Sequence, residues 1–278
     1  MAALWLALFV AAGADVFCAE WTERENSLVI EALQMRLEAR EQKDQKASLV
    51  WLKNKSAEFY SSIKKGEVCD EAMLAIENLL ACERYHYLWE IDSAARESKD
   101  FILNQYGKVD AWNQRHSPET RNEWYILSAC EVINNAMPMF KYSKKISLGM
   151  EEKKLYDSFI AAKSKKGLLY LNAGLWYAFA PAIGGGSDAK AKEYFTTASK
   201  IGPSGYERFL GFVYLSQMDL KKGDKDSWQK HLADADSICP ANVYTAFVRR
   251  VNGAGCDIFE YANDKDGVEA KVKKFYDK

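Results

Sequence analysis

The chain has 278 residues, of which 48% are hydrophobic and 28% charged, so it can form one large helical domain or two small ones. Its 38 lysines and arginines balance its 39 aspartates and glutamates, which argues against a nucleic-acid-binding surface and against a polybasic membrane anchor. Only 5 prolines and 16 glycines interrupt the sequence, and no segment alternates apolar and polar residues as a strand does. The composition therefore predicts an all-α protein.

The N-terminus has features of an export signal. Residues 2–13 are uncharged and mostly apolar, and residues 12–14 (Ala-Gly-Ala) fit the small-residue rule for signal-peptidase cleavage. Asp15 follows, so the run is too short to span a bilayer. No lysine or arginine precedes it, so either the true start lies elsewhere or the signal is weak. We predict a signal peptide over residues 1–19 and a periplasmic or envelope location. A lipid on Cys18 is an alternative that the poor lipobox match does not favour.

The cysteines predict neither disulfides nor a metal site. Cys69 and Cys82 flank a helical stretch that separates them by about 20 Å, whereas a disulfide needs Cα atoms within about 7 Å. The same objection applies to Cys239 and Cys256 if residues 241–251 are helical. No CxxC pair or histidine cluster occurs, so we expect buried thiols and no metal or cofactor.

Residues 20–118 form the predicted N-terminal helical region. Residues 23–46 are highly charged and predict a mostly solvated helix, weakly held at its start. Leu49 to Tyr60 suits a second helix, and residues 70–106 have helical periodicity throughout. Residues 107–118 are predicted to be a loop.

Residues 119–278 form the predicted repeat region, and two segments in it recur at one spacing. Residues 174–177 (Gly-Leu-Trp-Tyr) recur at 211–214 (Gly-Phe-Val-Tyr), 37 positions later. Residues 198–203 recur at 235–240 with the same offset, and both copies begin with alanine and end with proline. A small residue lets two helices approach closely, and the proline ends the unit because it cannot continue a helix. The pattern predicts a duplicated helical hairpin.

This layout resembles the tetratricopeptide repeat, whose unit has about 34 residues. The resemblance implies antiparallel helical hairpins stacked as an α-solenoid. The additional residues fit the loops 181–186 and 221–224, and Ser187 or Asp188 is the expected N-cap of the next helix. After Pro240, two capping helices are predicted, at 241–252 and 257–276, with Phe259, Tyr261, Val268, Val272 and Phe275 as their buried positions.

The loop and helix from 181 to 198 carry a narrower resemblance. Their sequence, Pro-Ala-Ile-Gly-Gly-Gly-Ser-Asp-Ala-Lys-Ala-Lys-Glu-Tyr-Phe-Thr-Thr-Ala, is similar to a pattern of bacterial envelope repeat proteins. These include the T component of tripartite ATP-independent periplasmic (TRAP) transporters. That family implies an exported all-α protein that associates with a substrate-binding protein and can form a trimer with a central pore. The residues after Pro240 depart from the family, which Ala241 and Asn242 match only loosely.

Two groups of aromatic residues are the candidate ligand- or partner-binding positions. The first is Tyr85, His86, Tyr87 and Trp89, whose density is explained either by packing between helices or by a groove that binds a ligand. The second lies in the repeats. It consists of Trp176, Tyr177, Phe212 and Tyr214, of which Tyr177 and Tyr214 occupy equivalent positions and so favour packing.

The sequence predicts a binding protein rather than an enzyme. It has three histidines and no nucleophile, zinc or Walker motif, and it offers no coherent set of titratable residues. We expect a protein or peptide partner on the concave repeat surface, with a homo-oligomer as an option. The alternative is a transport-associated component that handles a small ligand together with a substrate-binding protein.

Overall fold

The computed structural model describes residues 20–240 and 242–277, and these residues contain thirteen α-helices and no β-strand. Short 3₁₀ turns precede α5, α6 and α8. The helices are α1 (Glu23–Ala39), α2 (Gln45–Ser62), α3 (Asp70–Ile91), α4 (Arg96–Arg115), α5 (Glu123–Ala136), α6 (Tyr142–Ala161), α7 (Gly167–Phe179), α8 (Asp188–Ile201), α9 (Gly205–Lys221), α10 (Lys225–Ile238), α11 (Val243–Gly253), α12 (Ile258–Asn263) and α13 (Lys265–Tyr276).

Four pairs of consecutive helices, α1–α2, α3–α4, α7–α8 and α9–α10, pack as helical hairpins, in agreement with the predicted all-α repeat fold. The odd-numbered helices α1, α3, α5, α7 and α9 form an inner row in which each contacts the next. Helix α1 also contacts α9, so this row closes on itself. One hydrophobic core extends from Leu28 in α1 to Phe259 in α12.

The prediction for residues 23–46 is wrong, because α1 is a core helix that ends at Ala39. Leu28, Val29, Ala32 and Leu33 are completely buried, and the chain turns before α2 begins. At the start of α1, Thr22 and Glu25 form a capping box. Among the charged residues that suggested a solvated helix, Glu25 belongs to this cap, and Arg36 and Arg40 form buried ion pairs.

The boundary between α3 and α4 also differs from the sequence prediction. The expected continuous helix 70–106 breaks after Ile91, because the Asp92 carboxylate accepts hydrogen bonds from the amides of Ala94 and Ala95. The expected loop 107–118 is helical as far as Arg115, since α4 buries Val109 against the core.

The duplicated hairpins lie where the 37-residue spacing places them, as α7–α8 and α9–α10. Both second helices end two residues before a proline, and Ser187 caps α8. A Cβ atom on Gly174 would lie 2.7 Å from Phe195 Cδ1 of the same hairpin. A Cβ atom on Gly211 would lie 2.6 Å from the Ser199 amide nitrogen of the preceding hairpin. Glycine therefore permits close approach within one repeat and between two repeats.

At the C-terminus, the single predicted helix 257–276 is two helices that meet at Asp264, whose carboxylate caps α13. Four of the five expected apolar positions are buried, but Phe275 is 51% exposed because it lies on the outer side of α13. The predicted signal peptide and Cys18 lie outside the described residues. No helix within residues 20–240 and 242–277 combines the length and apolar character needed to cross a membrane.

Candidate functional site

The inner row of helices encloses buried charges. Arg36 of α1 places its Nε atom 3.2 Å from Glu83 of α3 and its Nη1 atom 2.7 Å from Glu131 of α5. Arg40 lies 3.0 Å from Glu83, and the Tyr206 hydroxyl donates to the same carboxylate over 3.3 Å. Burial alone would raise the pKa of Glu83, but the two guanidinium groups lower it to about 2.

These contacts fill the concave surface that the sequence analysis assigned to a partner. The Arg36 guanidinium also lies 4.3 Å from the centre of the Tyr206 ring, and the Arg40 guanidinium 4.4 Å from the Tyr244 ring. The Val243 amide donates to the Arg40 carbonyl oxygen, which ties the end of α1 to α11. The chain itself thus occupies the inner face, so a partner would need another surface.

The structure separates the four aromatic candidates of α3. Tyr87 is buried beside Arg40, and Tyr85 is buried elsewhere in the core. His86 and Trp89 are half-buried at the end of α3, where His86 contacts the Tyr244 ring edge-on at 5.8 Å. Only these two of the four lie near a cleft.

The aromatic residues of the repeats pack between helices. The Trp176 indole donates to the Gly149 carbonyl oxygen of α6 over 2.8 Å, and Tyr177 is buried against Tyr194. Tyr214 packs on Phe195 with ring centres 5.0 Å apart. Phe212, the remaining candidate, stacks on His231 at 6.1 Å. The described contacts of this group therefore join neighbouring helices.

The second cluster of titratable residues lies between α8, α9 and α10. The fully buried Asp219 accepts from His231 Nδ1 at 2.7 Å and from Lys192 Nζ at 2.6 Å. A buried carboxylate that binds a lysine and a histidine is a typical bridge between helices. This arrangement explains why His231 faces the protein interior rather than a substrate site.

A cleft of about 450 Å³ opens at the C-terminal end of α3, between the start of α2 and helices α11, α12 and α13. Glu90 forms one wall, and Phe247 and Tyr261 form an aromatic wall with ring centres 4.8 Å apart. Arg250 and Glu269 close one end through two hydrogen bonds of 3.0 and 2.6 Å. None of the predicted site residues lines this cleft. From α3 it is lined by Glu90 and Ile91, which directly follow the predicted Trp89, and the lining residues of α11 to α13 were not predicted as site residues.

The outer surface of α6 carries an uncovered apolar stripe. Tyr142, Ile146 and Met150 are 77%, 50% and 44% exposed, and their spacing of four residues places them along one side of the helix. At 100° per residue, Lys145 and Lys154 lie on the two sides of this stripe. Neither lysine forms an ion pair within residues 20–240 and 242–277.

Four of the five described cysteines are buried as expected, whereas Cys69 is exposed. Cys82, Cys130, Cys239 and Cys256 are buried free thiols, and the exposed Cys69 caps α3. Within residues 20–240 and 242–277, no three histidine, cysteine, aspartate or glutamate side chains are grouped closely enough to hold a metal ion.

Comparison of the chain with models of known protein families and with curated proteins gives no match.

Proposed function

We propose that this protein is a non-catalytic helical-repeat protein of the periplasm or envelope that binds a partner protein or peptide through the outer surface of α6. The apolar stripe formed by Tyr142, Ile146 and Met150 carries the proposal. Single exposed apolar residues are ordinary, but a row of them along one helix is typical of an interaction surface.

The charges beside the stripe define the chemistry of the partner. Lys145 and Lys154 flank the apolar side chains without intramolecular ion pairs, so carboxylates on the partner would complete the contact. The partner we propose is an amphipathic segment, with apolar residues in its centre and Asp or Glu at its rim.

Site-specific photocrosslinking tests this proposal. A photoreactive phenylalanine analogue at Ile146 is expected to crosslink a protein segment rich in apolar and acidic residues, identified by mass spectrometry. The same analogue at Val50, which is 59% exposed on α2, is the matched control. A synthetic peptide of the captured segment should bind the unmodified protein and should lose at least tenfold in affinity for Ile146→Asp but not for Val50→Asp.

Three outcomes would overturn the proposal. Equal capture at both positions would indicate nonspecific adhesion, and crosslinks only to a second copy of this chain would make the stripe an oligomer contact. Crosslinks only to lipid would make it a membrane-binding surface.

Export is proposed together with this function. When the full chain is expressed in export-competent bacteria, the mature protein should begin between Ala14 and Glu20. N-terminal sequencing would measure this. An intact N-terminus in the cytoplasmic fraction would contradict the proposed location.

The transport-associated alternative requires a small ligand as well as a partner. The cleft at the end of α3 supports this alternative, since it has the size of a site for a small organic group.

A further inference from the structure

The cleft at the end of α3 contains a buried carboxylate without a permanent cation. The Glu90 side chain is 7% exposed, and His86 Nε2 lies 3.0 Å from its Oε1 atom. That contact lacks hydrogen-bond geometry at the imidazole nitrogen, and the imidazole is a cation only when protonated. Glu83 and Asp219, in contrast, are each paired with an arginine or a lysine.

Of the other charged residues that line the cleft, Glu269, Arg250 and Asp44 have partners within the chain, and Lys46 lines the cleft at the start of α2. Glu269 accepts two hydrogen bonds from Arg250 and a third from the Tyr261 hydroxyl at 2.9 Å. Asp44 caps α2 by accepting from the Ala47 amide. Glu90 is therefore the carboxylate that remains available to a ligand.

The walls of the cleft suit an organic cation. Phe247 and Tyr261 line it, and Tyr244 stacks on Phe247 with ring centres 6.1 Å apart. Aromatic faces attract ammonium and guanidinium groups, and the attraction is stronger where water is excluded. A carboxylate beside such rings provides the opposite charge that these groups require.

The same helix end already binds one ammonium group within the chain. Lys265 Nζ donates to the carbonyl oxygens of Trp89 and Glu90 over 2.9 Å each, and it lies 5.0 Å from the centre of the Trp89 ring. Lysine is thus held here by carbonyl oxygens and an aromatic face. The cleft beside it offers Glu90 and the aromatic wall of Phe247 and Tyr261.

We infer that this cleft is a binding site for an organic cation, an alkylammonium or guanidinium group that pairs with Glu90 and packs against Phe247 and Tyr261. The group comes either from a free amine or from a lysine or arginine side chain of a bound protein. This site is separate from the α6 stripe, and either can fail without the other.

Calorimetric titration of the full chain tests the inference. The probes are spermidine, an end-blocked Gly-Gly-Lys-Gly-Gly peptide, and succinate as an anion of similar size. Spermidine or the lysine peptide should bind and succinate should not. Glu90→Gln should weaken binding at least tenfold, whereas Glu58→Gln, at a carboxylate that is 69% exposed on α2, should leave it unchanged.

A second variant separates the aromatic contribution from the charge. Phe247→Leu keeps an apolar side chain but removes the ring face, and it should weaken binding of the cationic probe several-fold in a protein that still unfolds cooperatively on heating. Binding of spermidine alone assigns the site to free amines, and binding of the peptide assigns it to a protein side chain. No binding of either cation, equal binding to Glu90→Gln, or stronger binding of succinate would overturn the inference.

Discussion

Buried carboxylates lie on both sides of α5, and they differ in whether a cation is next to them. On the inner side, Glu83 and Glu131 are paired with arginines, and the pKa of Glu83 stays at about 2 despite burial. On the side that faces α6, Glu152 is 2% exposed, and no cationic side chain in the described part of the chain offsets its burial. Burial raises the pKa of Glu152 to about 8, so this group is mostly neutral at pH 7.

This difference distinguishes a locked region from a weakly held one. Permanent charges join α1, α3 and α5 across the inner face, and removing one of them would leave another buried charge without a partner. Helix α6 instead buries Glu152 without a cationic partner, close to the buried Tyr156 hydroxyl. The proposed partner surface thus lies on the helix whose buried carboxylate has no cation to offset its burial.

The largest expected effect is at the inner network. Glu83→Gln should lower the free energy of unfolding by about 3–5 kcal/mol, because Arg40 would keep a buried charge without its carboxylate. Urea denaturation at pH 7 would measure the change. The double variant Glu83→Gln with Arg40→Met should recover part of the loss. A decrease below about 1 kcal/mol, the size of a surface ion pair, would show that the network does not lock the ring.

Glu152→Gln should have the opposite effect. In the folded protein Glu152 keeps its proton up to about pH 8, whereas in the unfolded chain it ionises near pH 4.5, so its stabilising contribution is full below that value and is lost as the pH rises. The variant should therefore raise the free energy of unfolding by about 2–3 kcal/mol at pH 7 and by about 0 at pH 4. Urea denaturation at both pH values would measure this. An equal change in the free energy of unfolding at both pH values would show that the effect does not come from ionisation of Glu152. Glu151→Gln, at an exposed carboxylate, is the control.

Glu25→Gln should cause a smaller loss of stability, and this loss should depend on pH. Burial alone would raise the pKa of Glu25, but hydrogen bonds from Cys69 and Thr22 lower it to about 2. Its contribution is therefore present above about pH 4.5 and is lost as the pH falls towards 2. We expect a loss of about 1–2 kcal/mol at pH 7 that disappears near pH 2. Thermal unfolding across this range would measure it, and a deficit that persists at pH 2 would contradict the assignment.

Ile146→Ser should have the smallest effect on stability. Its side chain is 50% exposed, so the free energy of unfolding should change by less than about 0.5 kcal/mol while partner binding is lost. Urea denaturation would measure the first quantity and the crosslinked-peptide assay the second. A loss above about 1 kcal/mol would place Ile146 in an intramolecular contact and contradict the stripe as an open surface.

The repeat itself was predictable because its determinants are local. Gly174 and Gly211 recur at one spacing, and the prolines that follow α8 and α10 end their units at equivalent points. Helix α1 was not predictable in this way. Arg36 and Arg40 are charged residues that normally indicate solvent, and their burial depends on carboxylates tens of residues away.

The cleft shows the same limit. Glu90 lies on α3, far along the chain from Phe247 on α11 and Tyr261 on α12, and no spacing in the sequence relates it to them. His86 and Trp89 drew attention to the end of α3 through aromatic density, but the wall that faces Glu90 arises only because α11 and α12 pack there.

The sequence by itself determined that this protein is helical and where its duplicated hairpins lie. It also determined most of the apolar residues that the helices bury. Helical periodicity, small residues and helix-ending prolines act over a few helical turns, so they can be recognised in the sequence. Only the tertiary structure decided that the inner row closes on α1, that its concave face is filled, and that α6 keeps an apolar stripe outside. Those outcomes depend on which distant charges and surfaces meet, and Coulomb and packing interactions follow distance in space rather than separation along the chain.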